Sequence, residues 1–406
     1  PIAVFAHNVL ASSALFLLTT EFLTVLHHVC FEHLRVSPSN LPCTKKRRTK
    51  PNKSAFKLTM NYFVCNAFTS IPFTGNPATV CVPVKSTAST LTPKHMQRLA
   101  GELSSVETAF VLPPTEPKTD FTLRFFTKNT ENPFCGHATI AAAHILSSEY
   151  GFRSDEFYFT TRSGLVVVKR KSGKFYELNL RPSLPTLMTR PYIDNGPLER
   201  LLIALNFTKH HASSLERKSS AANNATISVQ EARSHVVAAL FHKPSKNLII
   251  LLDTAWMVTA AAPAANDLLK AAPSGTNKVT ITAVPTSEAV IKPTINDESD
   301  EATAIAAANE AVESKWRKYD FITRLFAPWF GINEDAVSGA SHAILAKVWR
   351  EHNATIREKK ALCCYQPGRR GGGEVLLDVH DADRIGVSGE AVTIAHGTTA
   401  FVQSHL

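Results

Sequence analysis

Several common functional signals are missing from this sequence of 406 residues. Its seven cysteines form no Cys-x-x-Cys pair and share no repeated spacing with histidines, so structural zinc is not expected. No Gly-x-x-x-x-Gly-Lys-Ser/Thr motif is present, which argues against a phosphate-binding loop of that type. The uncharged run at residues 9–20 is shorter than the roughly 20 residues that cross a bilayer as a helix. The odd number and wide spacing of the cysteines favour a reduced, intracellular protein, and we expect a cytoplasmic location.

The distribution of charge argues against a nucleic-acid partner. The net charge is +10, but the first 59 residues hold eight Lys or Arg against Glu21 and Glu32. The remainder has 36 Lys or Arg against 32 Asp or Glu, which is only mildly basic. No nucleic-acid-binding motif or alternation of basic and aromatic residues accompanies these charges. We therefore expect no nucleic-acid partner.

Residues 1–59 differ from the rest of the chain, because a regular strand pattern begins only at Met60. We expect this segment to be an N-terminal extension that is disordered or is an artefact of the gene model. The alternatives are a signal peptide or membrane anchor at residues 9–20 and a nuclear address in the basic run at residues 45–48. Membrane association is expected only if the segment is a real anchor.

A turn followed by a helix is predicted at residues 132–139 (NPFCGHAT). Gly136 permits a tight turn, after which Thr139 or a neighbour can cap an apolar helix. The free N–H groups and the dipole of a helix N-terminus attract carboxylates, and Cys135 and His137 can move protons. The motif is a candidate site, and the alternative is a buried cysteine beside a loop histidine.

The same arrangement occurs twice in the chain. Residues 123–127 (LRFFT) precede the first motif, and residues 323–327 (TRLFA) precede a second loop at residues 333–342 (NEDAVSGASH). An apolar helical run follows each loop. Internal similarity of this kind predicts two related lobes, each presenting one helix N-terminus to a shared cleft.

Short strands and helices are both predicted along the chain. We place a first lobe at residues 60–185, a second at residues 186–385 and closing strands, which can return to the first lobe, at residues 386–406. Two polar stretches in the second lobe, residues 208–235 and 285–314, are interpreted as insertions.

Glu107 begins an apolar strand, an unusual position for a carboxylate. At an exposed edge it would simply be solvated. If it is partly buried, its pKa would rise toward the range of a useful general base.

Taken together, these motifs resemble the PhzF-like (phenazine biosynthesis F-like) family of the diaminopimelate epimerase-like superfamily. The matching segments follow the family order from residue 60 to residue 406. They are residues 66–69, 73–77, 106–110, 124–127, 135–139, 334–339 and 388–392.

The resemblance implies an α+β fold of the diaminopimelate epimerase-like type, with two pseudo-symmetric lobes that each roll a mixed β-sheet around a central helix. It implies a cofactor-independent isomerase that transfers a proton on a small carboxylate-bearing metabolite, without a metal. By position, Glu107 would carry the proton, and His137 and Asp335 would orient the substrate or assist the transfer. Because family members are often dimers, the resemblance also implies a homodimer.

The remaining candidate residues lie around these three, and the resemblance implies that they bind the substrate. They are Asn76, Cys135, Gly136, Ala138, Thr139, Ser338, Gly339, Ala340 and Ser341.

Two positions depart from the family pattern. Ala340 stands where family members usually have a serine, and Ser341 lies one residue on, about 100° further around a helix. Asn66 replaces a more usual aspartate. Both changes bear on the substrate more than on the fold.

Two other functions remain open at this stage. One is an amino-acid racemase or epimerase that uses Cys135 as a thiolate, although two-cysteine epimerases place their second cysteine in a loop where this chain has Asp335. The other is a protein-binding homologue with weak catalysis, with which the insertions and Ala340 are compatible.

Overall fold

The computed structural model describes nine stretches of the chain, all within the unit Ala55–Leu406. They are residues 57–84, 88–103, 107–171, 174–188, 196–208, 226–285, 314–368, 371–381 and 383–402. The predictions for residues 1–56, and for most of both insertions, lie outside the described residues.

The first lobe runs from β1 to β9. Its strands are β1 (Lys57–Ala67), β2 (Asn76–Pro83), β3 (Thr108–Leu112), β4 (Phe121–Phe126), β5 (Glu131–Asn132), β6 (Glu156–Thr161), β7 (Gly164–Arg170), β8 (Phe175–Leu180) and β9 (Thr186–Leu187). Its helices are α1 (Pro93–Leu103) and α2 (Gly136–Ser148).

The second lobe contains the remaining elements. Its strands are β10 (Val236–His242), β11 (Asn247–Leu252), β12 (Lys278–Ala283), β13 (Phe321–Ala327), β14 (Ile332–Asp335), β15 (Ala361–Gln366), β16 (Gly373–Val379) and β17 (Ile385–Val402). Its helices are α3 (Pro197–Leu205), α4 (Val229–Ser234), α5 (Ala255–Ala260), α6 (Ala265–Ala271), α7 (Gly339–His352) and α8 (Ala354–Arg357), and a 3₁₀ turn covers Pro328–Phe330.

The two lobes repeat one pairing scheme. In the first, β1–β2 is antiparallel, β2–β3 parallel, β3–β4 antiparallel, β4–β6 parallel, and β6–β7 and β7–β8 antiparallel. In the second, β10–β11, β11–β12, β12–β13, β13–β15, β15–β16 and β16–β17 follow the same order of directions. The prediction of two pseudo-symmetric lobes is therefore confirmed.

Each lobe is completed by a strand from the other. The first half of β17 pairs with β8 and β16, and the second half pairs with β1, which closes the first sheet into a ring. In return, β9 pairs with β10 of the second lobe. The predicted closing strands at residues 386–406 thus appear as one continuous strand, which covers sheet edges that would otherwise be open to pairing with other chains.

A helix lies at the centre of each lobe. Nine consecutive residues of α2, from Ala138 to Leu146, are buried, and most of α7 is buried as well. A helix buried on all sides must be surrounded by other elements, and small residues such as the three alanines at 141–143 let the sheet approach it closely. Among the described residues, no helix is both long and apolar enough to span a membrane.

Each central helix also buries one histidine. His144 of α2 hydrogen-bonds Thr393 Oγ1 through Nε2, and Nδ1 of His342 in α7 donates to the carbonyl of Ser338. The second ring nitrogen of each is buried with no hydrogen-bond partner among the described residues. Burial lowers the pKa of each imidazole to about 4 from its usual 6.5. Both histidines are therefore neutral in the folded protein at neutral pH.

We expect acid to destabilise the fold through these histidines. Between pH 6.5 and 4 the unfolded chain binds protons that the folded chain does not, so each histidine should lower the free energy of unfolding by about 1.4 kcal/mol per pH unit as the pH falls. Urea unfolding from about pH 7.5 to about pH 5 measures this slope. The slope of His342→Gln should be shallower than that of the parent by the same amount. If the parent and His342→Gln show the same dependence of unfolding free energy on pH, His342 is not buried in its neutral form.

Candidate active site

The site lies where the two central helices begin. α2 follows Cys135 and α7 follows Ser338, and both residues have extended backbones. Neither side chain forms a capping hydrogen bond. The N–H groups of Gly136 and Gly339, at the starts of the two helices, are therefore not occupied by these capping side chains and can bind an anion, with the positive ends of both helix dipoles behind them.

The sequence predicted that Thr139 or a neighbour caps the first helix, and for Thr139 this prediction is wrong. The helix starts at Gly136, so Thr139 lies inside it, and its hydroxyl donates to the carbonyl of Cys135 at 2.7 Å. Thr139 and Ala138 are both fully buried. Their side chains therefore pack within the lobe, and the backbone is the part of this turn that can face a ligand.

Glu107 is a buried carboxylate directly before β3, with only 4% of its surface exposed. Asn132 Nδ2 donates to its Oε2 at 2.9 Å. Burial raises the pKa of Glu107 to about 7; the Asn132 hydrogen bond opposes this rise and the charge of Asp335 adds to it. A carboxyl group with this pKa can both accept and donate a proton near neutral pH.

Asp335 brings the second lobe into the site. It ends β14, and its Oδ1 accepts a hydrogen bond from Asn76 Nδ2 of the first lobe at 2.8 Å. The same nitrogen donates to the carbonyl of Val337 at 2.7 Å. Asn76 is itself buried, so this bridge fixes the second loop against the first lobe close to Glu107.

Cys135 and His137 lie side by side, with Sγ of the cysteine 3.3 Å from Nδ1 of the histidine. Burial lowers the pKa of His137; the charge of Asp335 and a hydrogen bond to the Pro77 carbonyl oppose this shift. Burial also raises the pKa of the Cys135 thiol well above its usual value. The structure thus favours a neutral imidazole beside a protonated thiol, and it disfavours the thiolate that the racemase alternative requires.

The second helix start is held by residues around Ser338. Gln366 accepts a hydrogen bond from Ser338 N at 2.9 Å and donates to the carbonyl of Asp335 at 2.6 Å. The hydroxyl of Ser338 donates to Ser341, which is buried, whereas Ala340 is exposed. Ser341, which follows the unusual Ala340, is therefore hydrogen-bonded within the first turn of its own helix.

Gly339 permits the close approach of this helix to its surroundings. A Cβ at that position would lie 2.8 Å from Phe68 Cζ and 3.1 Å from Val387 Cγ1. The 2.8 Å contact is shorter than a Cβ atom tolerates and the 3.1 Å contact is tight, so a larger residue would require Phe68, Val387 or the helix start to shift.

An arginine–glutamate pair supports each loop. Arg124 Nε lies 2.7 Å from Glu131 Oε1, and Arg324 Nε lies 2.6 Å from Glu334 Oε1, with a second hydrogen bond from Nη2 in each pair. The guanidinium groups also lie over the rings of Phe126 and Phe326, 5.4 and 5.0 Å from the centroids. Each glutamate immediately precedes a residue of the site, so these bidentate pairs fix the loops at both helix starts.

The structure brings Glu107, His137, Asp335, Cys135 and Asn76 together, with the backbone of both helix starts beside them. It also includes Asn132, which begins the first motif but was not among the candidate residues, and Gln366, which lies outside every motif. Alignment of the two internal repeats could have identified Asn132, which occupies the position of Asp335. No local signal marks Gln366. The arrangement can bind a carboxylate and move a proton beside it.

A family model described as "Phenazine biosynthesis-like protein" (PhzC-PhzF) matches residues 65–397. Phenazine biosynthesis-like domain-containing protein 2 of Mus musculus is 29% identical, over 83% of this chain and 97% of its own length. An uncharacterized isomerase of Halalkalibacterium halodurans is 27% identical, with the same coverage of both chains.

Solved structures give the same result. A PhzF family protein from Enterococcus faecalis superposes with a TM-score of 0.60 at 25% identity, over 84% of this chain and 99% of that one. A PhzC/PhzF protein from Clostridium difficile gives a TM-score of 0.58, also at 25% identity, over 84% of this chain and 99% of that one. The fold is thus of the isomerase and epimerase type, and the chain belongs to the phenazine biosynthesis-like PhzC-PhzF family.

Proposed function

We propose that this protein is a cofactor-independent isomerase that moves a proton between carbon atoms of a small carboxylate-bearing metabolite. The observation that carries the proposal is the environment of Glu107, a buried carboxyl with a pKa near 7 beside two helix N-termini. Relatives that are named as uncharacterized isomerases support the reaction class.

In the proposed reaction, the substrate carboxylate binds to the N–H groups at the starts of α2 and α7. Glu107 removes a proton from a carbon next to an unsaturated or carbonyl group, and the electron pair of that C–H bond moves into the conjugated system. The helix dipoles stabilise the negative charge that develops. Glu107 then returns the proton to another carbon, which completes the isomerisation without a redox change.

His137 and Asp335 have supporting roles in this scheme. His137, held neutral by burial, can donate a hydrogen bond to the substrate without adding charge to the site. The Asp335 carboxylate of the second lobe is close enough for its charge to act on Glu107 and His137, and in this scheme it orients a hydroxyl or amino group of the substrate. In this scheme both lobes supply residues to the site, and the hydrogen bonds of Asn76 to Asp335 and to the carbonyl of Val337 hold the two lobes together there.

Two alternatives predict different results. A racemase that uses Cys135 requires a thiolate, which burial of that thiol opposes. A protein-binding homologue requires no proton transfer at all, and the exposed Ala340 at the second helix start is compatible with it.

The test is deuterium incorporation in D₂O, followed by NMR. We would incubate the full chain with a panel of small unsaturated carboxylates and with L-amino acids. Incorporation into an unsaturated carboxylate that Cys135→Ser retains would support the isomerase. Exchange at the α-carbon of an amino acid that Cys135→Ser abolishes would support the racemase. A folded protein that exchanges nothing across the panel would overturn both enzyme assignments.

A further inference from the structure

The two lobes have different residue types at the position three residues before the N-cap residue of their central helix. Asn132 stands three residues before Cys135, and Asp335 stands three residues before Ser338. Their sheet registers agree as well, because Asn132 pairs with Phe125 and Asp335 pairs with Leu325, each directly after the arginine that supports its loop. The repeat therefore places a carboxamide in one lobe where the other has a carboxylate.

The carboxamide contacts the group that would carry the proton. Asn132 Nδ2 lies 2.9 Å from Glu107 Oε2, in a site where Glu107 is almost fully buried. A hydrogen bond from an amide N–H stabilises the ionised carboxyl relative to its protonated form. It also fixes one oxygen and so sets the orientation of the whole group.

We propose that Asn132 is a positioning residue that orients Glu107 and keeps its carboxylate form accessible near neutral pH. The inference rests on the proposed function of Glu107 as the proton carrier, and it adds a residue that acts through Glu107 without touching the substrate.

The other groups around Glu107 explain why such a donor is required. Asp335 approaches from β14 as a second negative charge, and it raises the pKa of Glu107. Cys135 interacts with the Glu107 charge from the start of α2, and His137 beside it is neutral. Without the hydrogen bond from Asn132, burial and the nearby carboxylate would shift Glu107 further toward its protonated form, which cannot remove a proton.

A carboxylate at position 132 would have the opposite effect. Asn132→Asp would place a third carboxyl group against Glu107 and Asp335 and would force one of them to hold a proton. The asymmetry of the two repeats at this position is therefore what allows two carboxylates to share the cleft.

The experiment measures the Glu107 carboxyl directly. The full chain would be labelled with ¹³C at the glutamate side-chain carboxyl, and the Glu107 resonance would be assigned by its loss in Glu107→Gln. Its titration would be compared among the parent, Asn132→Leu and Asn132→Asp. Asn129→Leu serves as the matched control, because Asn129 is exposed in the same β4–β5 connection.

We expect the Glu107 midpoint to rise by about one pH unit in Asn132→Leu, to rise further in Asn132→Asp and to stay unchanged in Asn129→Leu. Deuterium exchange at pH 7 should fall in parallel and should recover at higher pH in Asn132→Leu. An unchanged midpoint in a folded Asn132→Leu overturns the inference. A shifted midpoint in a protein that exchanges no substrate supports the role of Asn132 and rejects the isomerase, so the two failures are distinct.

Discussion

Glu107→Gln is expected to lower the rate of proton exchange by roughly 10²- to 10⁴-fold, because the amide keeps the shape of the side chain and cannot accept the proton. The hydrogen bond from Asn132 can persist in the variant, since the amide oxygen of glutamine also accepts one. Substrate affinity should change little. The measurement is single-turnover deuterium exchange at pH 7.5 to 8, with the exposed Glu116→Gln as control.

The stability of the same variant provides an independent check. A carboxyl whose folded-state pKa is raised from 4.5 to about 7 costs stability above pH 4.5, and the cost grows until the pH passes 7. Glutamine carries no charge, so Glu107→Gln should unfold at an equal or higher denaturant concentration than the parent at pH 8. Activity lost together with stability would indicate a structural role for Glu107 instead.

The pH dependence of the parent follows from the same group. If Glu107 is the base, kcat/KM rises as the pH increases through about 7, because the carboxylate form is the active one. In Asn132→Leu the rise should occur at higher pH.

The internal repeat accounts for the part of the fold and of the candidate site that could be predicted from the sequence. The two Arg-containing strands and the two helix starts were identifiable because each combines an apolar run with a turn of restricted conformation, and both are local properties. The prediction of two related lobes followed from these local patterns, and the α+β class and the pseudo-symmetry of the lobes came from the family resemblance. Glu107 and His137 were singled out by their local sequence context, whereas Asp335 came from the family resemblance. The roles of all three residues stay predictions.

Long-range pairing was harder to predict. Nothing in the local pattern of β17 shows that one half pairs with β8 and the other half with β1, since register depends on partners far away in the chain. The role proposed for Asn132 likewise depends on its distance to a residue 25 positions earlier. Thr139 was a reasonable cap by residue type, but the helix begins three residues before it.

Arg324→Met is expected to cost about 3–5 kcal/mol of unfolding free energy, because it leaves Glu334 nearly buried without its cation. Both side chains of this pair are only 11% exposed. Arg324 Nη1 additionally donates to the carbonyl of Ala261 at 2.6 Å, and those of Val258 and Thr259 lie within hydrogen-bond distance of it. The measurement is the denaturant midpoint and slope of the purified variant.

The first lobe supplies the matched comparison. In Arg124→Met, Glu131 keeps an ion pair with Arg162 at 3.0 Å, and Arg124 itself is 23% exposed. The loss should therefore be smaller, roughly 1–2 kcal/mol. Equal losses in the two variants would contradict the view that an isolated buried carboxylate dominates the cost.

The double variant Arg324→Met, Glu334→Gln separates charge from packing. If the cost of Arg324→Met comes mainly from the unpaired carboxylate, removing that charge should restore about half of the stability or more. The loss of the Arg324 hydrogen bonds to the carbonyls of Val258, Thr259 and Ala261 would persist in the double variant. Glu334 immediately precedes Asp335, so loss of the Arg324–Glu334 pair can also displace Asp335. A double variant that regains stability but still exchanges deuterium slowly would show that the pair also places Asp335 in the cleft.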